Sequence, residues 1–220
     1  VINNANLKIN SGLILLLGPN GCGKSTLLKI LSGVEKPDSG QVYINGADLW
    51  REEIKARRSL AYLPEQPDLT PYATIQEVLY LVCRLRGEPL AEADKALDIF
   101  GMKHLATRTI RELSMGQRRR AVFSALMIGR QAHILLDEPL EGMDRNIQIE
   151  IMQWISKRKK AGAGIVVVSH TLEPFADMAN QACTIKDGAP VLYTVLPEGA
   201  EEKQLFLEDL AKGIIKTKAG

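Results

Sequence analysis

Residues 18–25 read Gly18-Pro19-Asn20-Gly21-Cys22-Gly23-Lys24-Ser25 and fit the pattern G-x-x-x-x-G-K-[ST] in full. This octet constrains the fold because its chemistry works in only one local geometry. Phosphate oxygens need several backbone N–H donors converging on one point, and glycines let the backbone curl close without a Cβ in the way. The continuous apolar run at residues 13–17 predicts a strand buried on both faces. Apolar residues at helical spacing over 24–31, closed by Ser32-Gly33, predict a helix whose N-terminal dipole faces the anion. In that strand–loop–helix setting Lys24 supplies a point charge near the β- and γ-phosphates, and the Ser25 hydroxyl can bind Mg²⁺. The predicted nucleotide-binding set runs from Gly18 through Thr26.

The rest of the chain alternates between two characters. Residues 7–10 alternate as a half-buried strand, residues 37–40 form a turn, and residues 41–44 alternate again, so a hairpin-like β region is expected near the first strand. From 74 to 129 the pattern is helical. Ile75, Val78, Leu79, Val82 and Leu85 recur at helical spacing, residues 91–100 form a second helix, and Ser114 can cap a third running to Ile128. Strands return at 134–136 and 164–168 with a helix over 145–160 between them, which implies parallel strands with right-handed crossovers. Residues 198–213 read as one amphipathic helix. The class is therefore α/β, with a mainly parallel sheet and an inserted helical lobe.

Composition excludes several functions. The 220 residues carry 28 Lys+Arg against 26 Asp+Glu, a balance that gives no bulk grip on nucleic acid, so no nucleic-acid partner is expected. Hydrophobic residues at 45 % and charged residues at 25 % rule out disordered and fibrous classes. No apolar run approaches the roughly 20 residues of a membrane helix. Cys22, Cys83 and Cys183 form no CxxC pair, so neither a zinc site nor a disulfide framework is indicated, and free thiols suit a reducing compartment. The chain starts at Val1 without Met or a signal segment and reads as a fragment with residues preceding it.

The strand at 134–136 ends in Asp137-Glu138-Pro139. Ligands of open α/β sheets sit at strand C-terminal ends. There Asp137 can hold Mg²⁺, and Glu138 can orient and deprotonate a water attacking a γ-phosphate.

Leu113-Ser114-Met115-Gly116-Gln117, followed by Arg118-Arg119-Arg120, resembles the L-S-G-G-Q signature of ABC (ATP-binding cassette) ATPases. Glu141-Gly142-Met143-Asp144 resembles that family's D-loop, and His170, after an apolar strand and Ser169, its switch histidine. The motifs stand in family order over nearly the whole chain. Tyr62-Leu63-Pro64-Glu65 and Arg84-Leu85-Arg86-Gly87 are similar to ATPase subunits of ABC-2-type exporters and the haem exporter.

The resemblance implies a single domain over 1–220. Residues 1–70 and 131–220 would form a RecA-like P-loop NTPase core with an antiparallel β subdomain, and residues 71–130 a helical subdomain. It implies Mg²⁺-dependent hydrolysis of ATP to ADP and phosphate, powering transport through partner membrane subunits at the cytoplasmic face of the cell membrane. It implies a head-to-tail homodimer with ATP between the copies. One copy would give Lys24, Ser25, Asp137 and the general base Glu138, with His170 on the γ-phosphate. The other would give Ser114, Met115, Gly116 and Gln117, and Asp144 would serve in the D-loop. A helix N-terminus at Ser114 and Gly116 is independently an anion-binding end.

The sequence departs from the family in three places. Met115 replaces the first signature glycine, with its side chain expected to point off the phosphate. Either Glu65 or Gln66 takes the Q-loop place. Cys22 replaces the usual alanine, either as a plain small residue or as a thiol activated at a helix N-terminus. The aromatic that stacks on adenine is expected before Val1. Two other classes compete. A non-transport ABC ATPase of DNA repair, chromosome structure or translation needs coiled-coil insertions or paired cassettes, and a small P-loop kinase lacks the 114–117 motif. Arg118-Arg119-Arg120 reads as a solvated helix face. His104 and His133 read as surface or loop residues, and Trp50, Trp154, Met102 and Met127 as packing. The loop 65–74 reads as the link between lobes and a place to touch a membrane partner.

Overall fold

The computed structural model describes residues 2–67 and 69–214. Its first element is β1 (Gly12–Leu17), followed through the glycine loop by α1 (Lys24–Ser32), which stops at the left-handed Gly33. Next come a short antiparallel pair, β2 (Tyr43–Ile44) and β3 (Ala47–Asp48), then α2 (Glu53–Arg58) and β4 (Leu60–Leu63). Three helices follow: α3 (Ile75–Arg86), α4 (Ala91–Ile99) and α5 (Met115–Met127). The chain then re-enters the sheet with β5 (His133–Asp137), α6 (Arg145–Lys160), β6 (Gly164–Val168), α7 (Glu173–Ala176), β7 (Gln181–Lys186), β8 (Ala189–Tyr193) and α8 (Ala200–Lys212).

The main sheet has strand order β4-β5-β6-β1-β7-β8. Every neighbouring pair is parallel except β7 and β8. The central strands are buried on both faces, which is why they read as unbroken apolar runs rather than alternating ones. Their side chains divide by parity. Leu13, Leu15 and Leu17, with Ile134, Leu136, Ile165 and Val167, join the larger core under α3 to α6 and α8. Ile14 and Leu16, with Leu135, Val166 and Val168, pack instead on Leu27 and Leu28 of α1. The sheet thus lies between two helical layers.

The larger core runs without a break into the helices inserted between β4 and β5. Leu79 and Cys83 of α3, Ala93 and Leu97 of α4 and Phe123 of α5 belong to the same cluster as Ala61 and Leu63. Ser114 caps α5, as the sequence predicts, and does so with a full capping box; Thr74 caps α3 in the same way. Of the expected packing residues, Met102 and Trp154 are buried and Met127 packs partly against the core. Trp50 is partly buried against the small cluster around Leu49.

Two strand expectations need correction. Residues 7–10 form no strand. Leu7 and Ile9 do turn toward the core, but the backbone of Asn10 passes so close to Gly164 that a Cβ there would lie 2.6 Å from its carbonyl. The segment crosses the strand end rather than pairing with it. Of residues 41–44 only Tyr43 and Ile44 are in a strand, joined to β3 through Asn45-Gly46. Both turn residues have positive φ, the geometry of a two-residue hairpin, and Asn-Gly is its sequence sign. Asp187-Gly188 does the same between β7 and β8.

Phe123 is fully buried, with its ring 6.1 Å from that of Phe100. Phe123→Ala is expected to cost about 3–5 kcal/mol in urea unfolding, because the inserted helices and the sheet share this core and cannot collapse around the hole.

Candidate nucleotide site

The strand-to-helix joint after β1 is built by glycines with positive φ, namely Gly18, Gly21 and Gly23. Nothing lies within 4 Å of where a Cβ on Gly21 would sit, so that side of the loop is open to a ligand. Gly23 caps α1 without any side-chain hydrogen bond. The first amides of the helix therefore keep their donors for an anion. Lys24 Nζ donates to the Gly18 carbonyl at 2.7 Å and to Pro19 at 3.1 Å, which holds the ammonium across the loop. Cys22 is partly buried and its Sγ lies against Gly18, 2.9 Å from where a Cβ would stand. Asn20 and Thr26 complete the segment, on the loop and in the first turn of α1.

The parallel sheet brings β5 within one strand of β1, since β6 pairs with both. α1 crosses back over β5 and β4. This brings Ser25 to Asp137, near enough for its hydroxyl to favour the ionised Asp137 carboxylate. Asp137 is 3 % exposed, and burial pushes its carboxyl above the usual range.

Glu138 follows with φ of 48°, a left-handed backbone that costs a non-glycine residue about 1–3 kcal/mol. That turn folds its carboxylate toward the end of β6. Oε2 accepts from the Ser169 hydroxyl at 3.3 Å and from the His170 amide at 3.2 Å. Oε1 is buried with no hydrogen-bond partner and lies 3.6 Å from His170 Nε2. Burial raises the Glu138 carboxyl above the usual range, opposed by the bonds from His170 and Ser169.

Glu65 and Gln66 are both exposed. The charge of Glu65 acts on Asp137, raising its carboxyl further. The 114–117 motif stands apart from this cluster. Ser114 accepts from the Gln117 amide at 3.3 Å, and the Gln117 side chain accepts from the Ser114 amide at 2.9 Å. Among the described residues neither bonds to the phosphate loop or to the acidic pair. Met115 is 85 % exposed, so its side chain points away from the body of the protein at the tip of α5. Asp144 caps α6 through the Ile147 amide at 3.1 Å and pairs with Arg120 at 3.3 Å.

The solvated reading of Arg118-Arg119-Arg120 fails at its middle residue. Arg119 is buried and donates to the backbone carbonyls of Glu138 and Glu65. Its sequence sign was the stripe Arg119, Val122, Phe123 and Leu126, which is the buried face of α5. His104 is exposed, as read. His133 is half-buried and bonds Asn45 at 2.9 Å.

A cradle of glycine amides, a lysine, a hydroxyl–carboxylate pair and a second carboxylate at adjacent parallel strand ends define a nucleoside triphosphatase. A family model for ABC transporters matches residues 2–141, and the chain belongs to that family, as an ATP-binding, ATP-hydrolysing subunit. It is 31 % identical to the iron(3+)-hydroxamate import ATP-binding protein FhuC of Bacillus subtilis, over 100 % of this chain and 83 % of that one. It is 30 % identical to the lipopolysaccharide export system ATP-binding protein LptB of Escherichia coli K12, over 94 % of this chain and 90 % of that one. The chain spans about half the length of the spermidine/putrescine import ATP-binding protein PotA of Nitrosomonas europaea, at 31 % identity over 83 % of this chain and 52 % of that one. Among solved structures, an ATP-binding subunit of an ABC transporter aligns with a TM-score of 0.82 and 25 % identity, covering 89 % of this chain and 84 % of that one. A dimeric, post-hydrolysis cassette bound to ADP and phosphate aligns with a TM-score of 0.77 and 27 % identity, covering 89 % and 91 %. Among the described residues no helix is long and apolar enough to cross a membrane.

The raised Glu138 carboxyl fixes the sign of a stability effect. The folded state binds this proton more tightly than the unfolded chain does, so stability is fullest below the ordinary carboxylate range and falls as pH rises through the folded value. Glu138→Gln removes that loss. The variant is expected to melt at higher temperature than the parent at pH 8, with the gap shrinking toward pH 4 in parallel thermal scans.

Proposed function

We propose that Glu138 is the general base of ATP hydrolysis and that each active site is completed by a second copy of the chain. The observation that carries this is Glu138 Oε1: buried, without a hydrogen-bond partner and next to His170, beside the Asp137–Ser25 pair. An unpaired buried carboxylate oxygen is costly unless it meets a donor during function, and an attacking water is such a donor.

Gly18 to Gly23 and the first amides of α1 hold the β- and γ-phosphates, and Lys24 swings its ammonium from the loop carbonyls to the phosphate oxygens. Ser25 Oγ and the Asp137 carboxylate are hard oxygen donors that fit Mg²⁺, leaving its other positions to phosphate and water. Mg²⁺, when bound there, neutralises charge on the transferring phosphoryl group. Glu138 takes the proton of the water whose oxygen bonds to the γ-phosphorus as the bond to the β-phosphate oxygen breaks. The loop amides and Lys24 stabilise the leaving ADP oxygen. His170, exposed at the strand end, holds a γ-phosphate oxygen. Glu65 fills the Q-loop place, supported by its charge acting on Asp137.

Ser114 and Gly116 of a second copy bring the N-terminus of α5 to the γ-phosphate, with Gln117 closing the capping box behind them. The outward set of Met115 supports this use of the tip. The copies meet head to tail, and loss of the γ-phosphate releases them. The inserted segment 71–130 acts as a lobe that moves with the membrane subunits against the core formed by 1–70 and 131–220. Those subunits hold the chain at the cytoplasmic face of the membrane and choose the substrate. The relatives named above support the transport role.

Glu138→Gln is expected to bind ATP, to lose about 10²–10⁴-fold in turnover and to accumulate as an ATP-bound dimer in gel filtration with Mg²⁺. Parental turnover in this variant would remove Glu138 as the base. A thiol reagent is expected to select Cys22, because Cys83 and Cys183 are buried. Its adduct should block binding of a fluorescent ATP analogue, and ATP should protect. Full binding after complete Cys22 alkylation would show that the cradle tolerates the group.

A further inference from the structure

We infer that Arg119 is a positioning residue for hydrolysis, holding the backbone of Glu138 in the left-handed turn that aims the base. The inference rests on the reading of Glu138 given above. Its geometry lies in one guanidinium group. Nη2 donates to the Glu138 carbonyl, and Nη1 donates to the Glu65 carbonyl at 3.2 Å. Nη1 also lies 3.7 Å from the exposed carboxylate of Glu141, while Nε is buried with no hydrogen-bond partner.

A residue placed here for packing alone would be apolar, as Val122, Phe123 and Leu126 are on the same face of α5. A buried cation with one orphaned N–H is a poor choice for stability. Its partners explain the choice. Both carbonyls stand just past the ends of neighbouring parallel strands, β4 and β5, where the chain enters the Q-loop and the acidic turn. A planar fork can bridge two acceptors at once, and an ammonium cannot do so in the same fixed geometry.

The held residue is the one whose conformation is strained. The Glu138 amide is tied to Val168 at 2.9 Å, and its carbonyl also accepts from the Glu141 amide at 3.3 Å. Arg119 adds the side-chain donor on that carbonyl and ties it to a different layer of the molecule. It therefore resists the rotation that would return φ to the negative side and swing the carboxylate away from His170. Arg119 also lies five residues after Ser114 on the same helix, about 7.5 Å along the axis. One rigid segment thus carries both the tip offered to a second copy and the clamp on its own base.

Mixed dimers of two differently tagged copies test this. One copy keeps Glu138 and the other carries Glu138→Gln, so only one base works. Arg119→Lys is placed either in the copy with the live base or in its partner. In the live copy, turnover is expected to fall about a hundredfold, the scale of a small misplacement of a reacting group. In the other copy, turnover should be unchanged, and binding of a fluorescent ATP analogue should be unchanged in both. Arg119→Met, neutral and matching only the unbranched stem of the arginine, should repeat the pattern. Equal losses in the two arrangements, a loss only from the partner copy, or no loss in either would overturn the proposal. Failure of both variants to bind nucleotide would overturn it as well, by making Arg119 a structural residue. Failure of the underlying reading shows separately, as full turnover by the Glu138→Gln homodimer.

Discussion

Parallel hydrogen bonding between β5, β6 and β1 is the constraint on which the site depends. In a parallel sheet, strand C-termini fall on one edge, and neighbouring strands lie about 4.8 Å apart. The register aligns Leu15 with Val167 and Val167 with Leu136, so the phosphate loop, Asp137-Glu138 and Ser169-His170 all emerge at that edge. A register slip of one residue would turn every side chain to the opposite face. The parity split of Leu13 to Leu17 between the two cores guards against such a slip.

The same edge concentrates features that oppose stability. Two carboxylates are buried side by side, with both carboxyls raised by burial. Glu138 sits in a left-handed backbone, and one of its oxygens has no partner. Arg119 is buried beneath them with an unpaired N–H. Such departures from good local chemistry are tolerated where the surrounding structure fixes them and where a reaction uses them. Here the surroundings are two apolar layers packed against both faces of a central sheet.

Much of this was readable from residue order. The glycine loop, the Asp137-Glu138 pair, the capped helix at Ser114 and the strand–helix rhythm of the second half each depend on neighbours in sequence. Periodicity, capping and turn chemistry report on such neighbours directly. Two-residue strands were harder, since pairing over β2 and β3 depends on the Asn45-Gly46 turn more than on alternation. The segment 7–10 has a strand's alternation, but its backbone is used in crossing Gly164. Arg119 was misread because three consecutive arginines look alike until the helix face is known.

By itself, the sequence determined the class of fold, the phosphate cradle and the carboxylates, because local spacing and residue type are sufficient for each. Tertiary structure alone decided how they meet. It set the strand order that puts Asp137 against Ser25, the left-handed turn that sends Glu138 toward His170, and the choice of Arg119 among three arginines to run beneath that turn. These are contacts between residues distant in the chain, and a chain's local pattern carries no term for them until the sheet has closed.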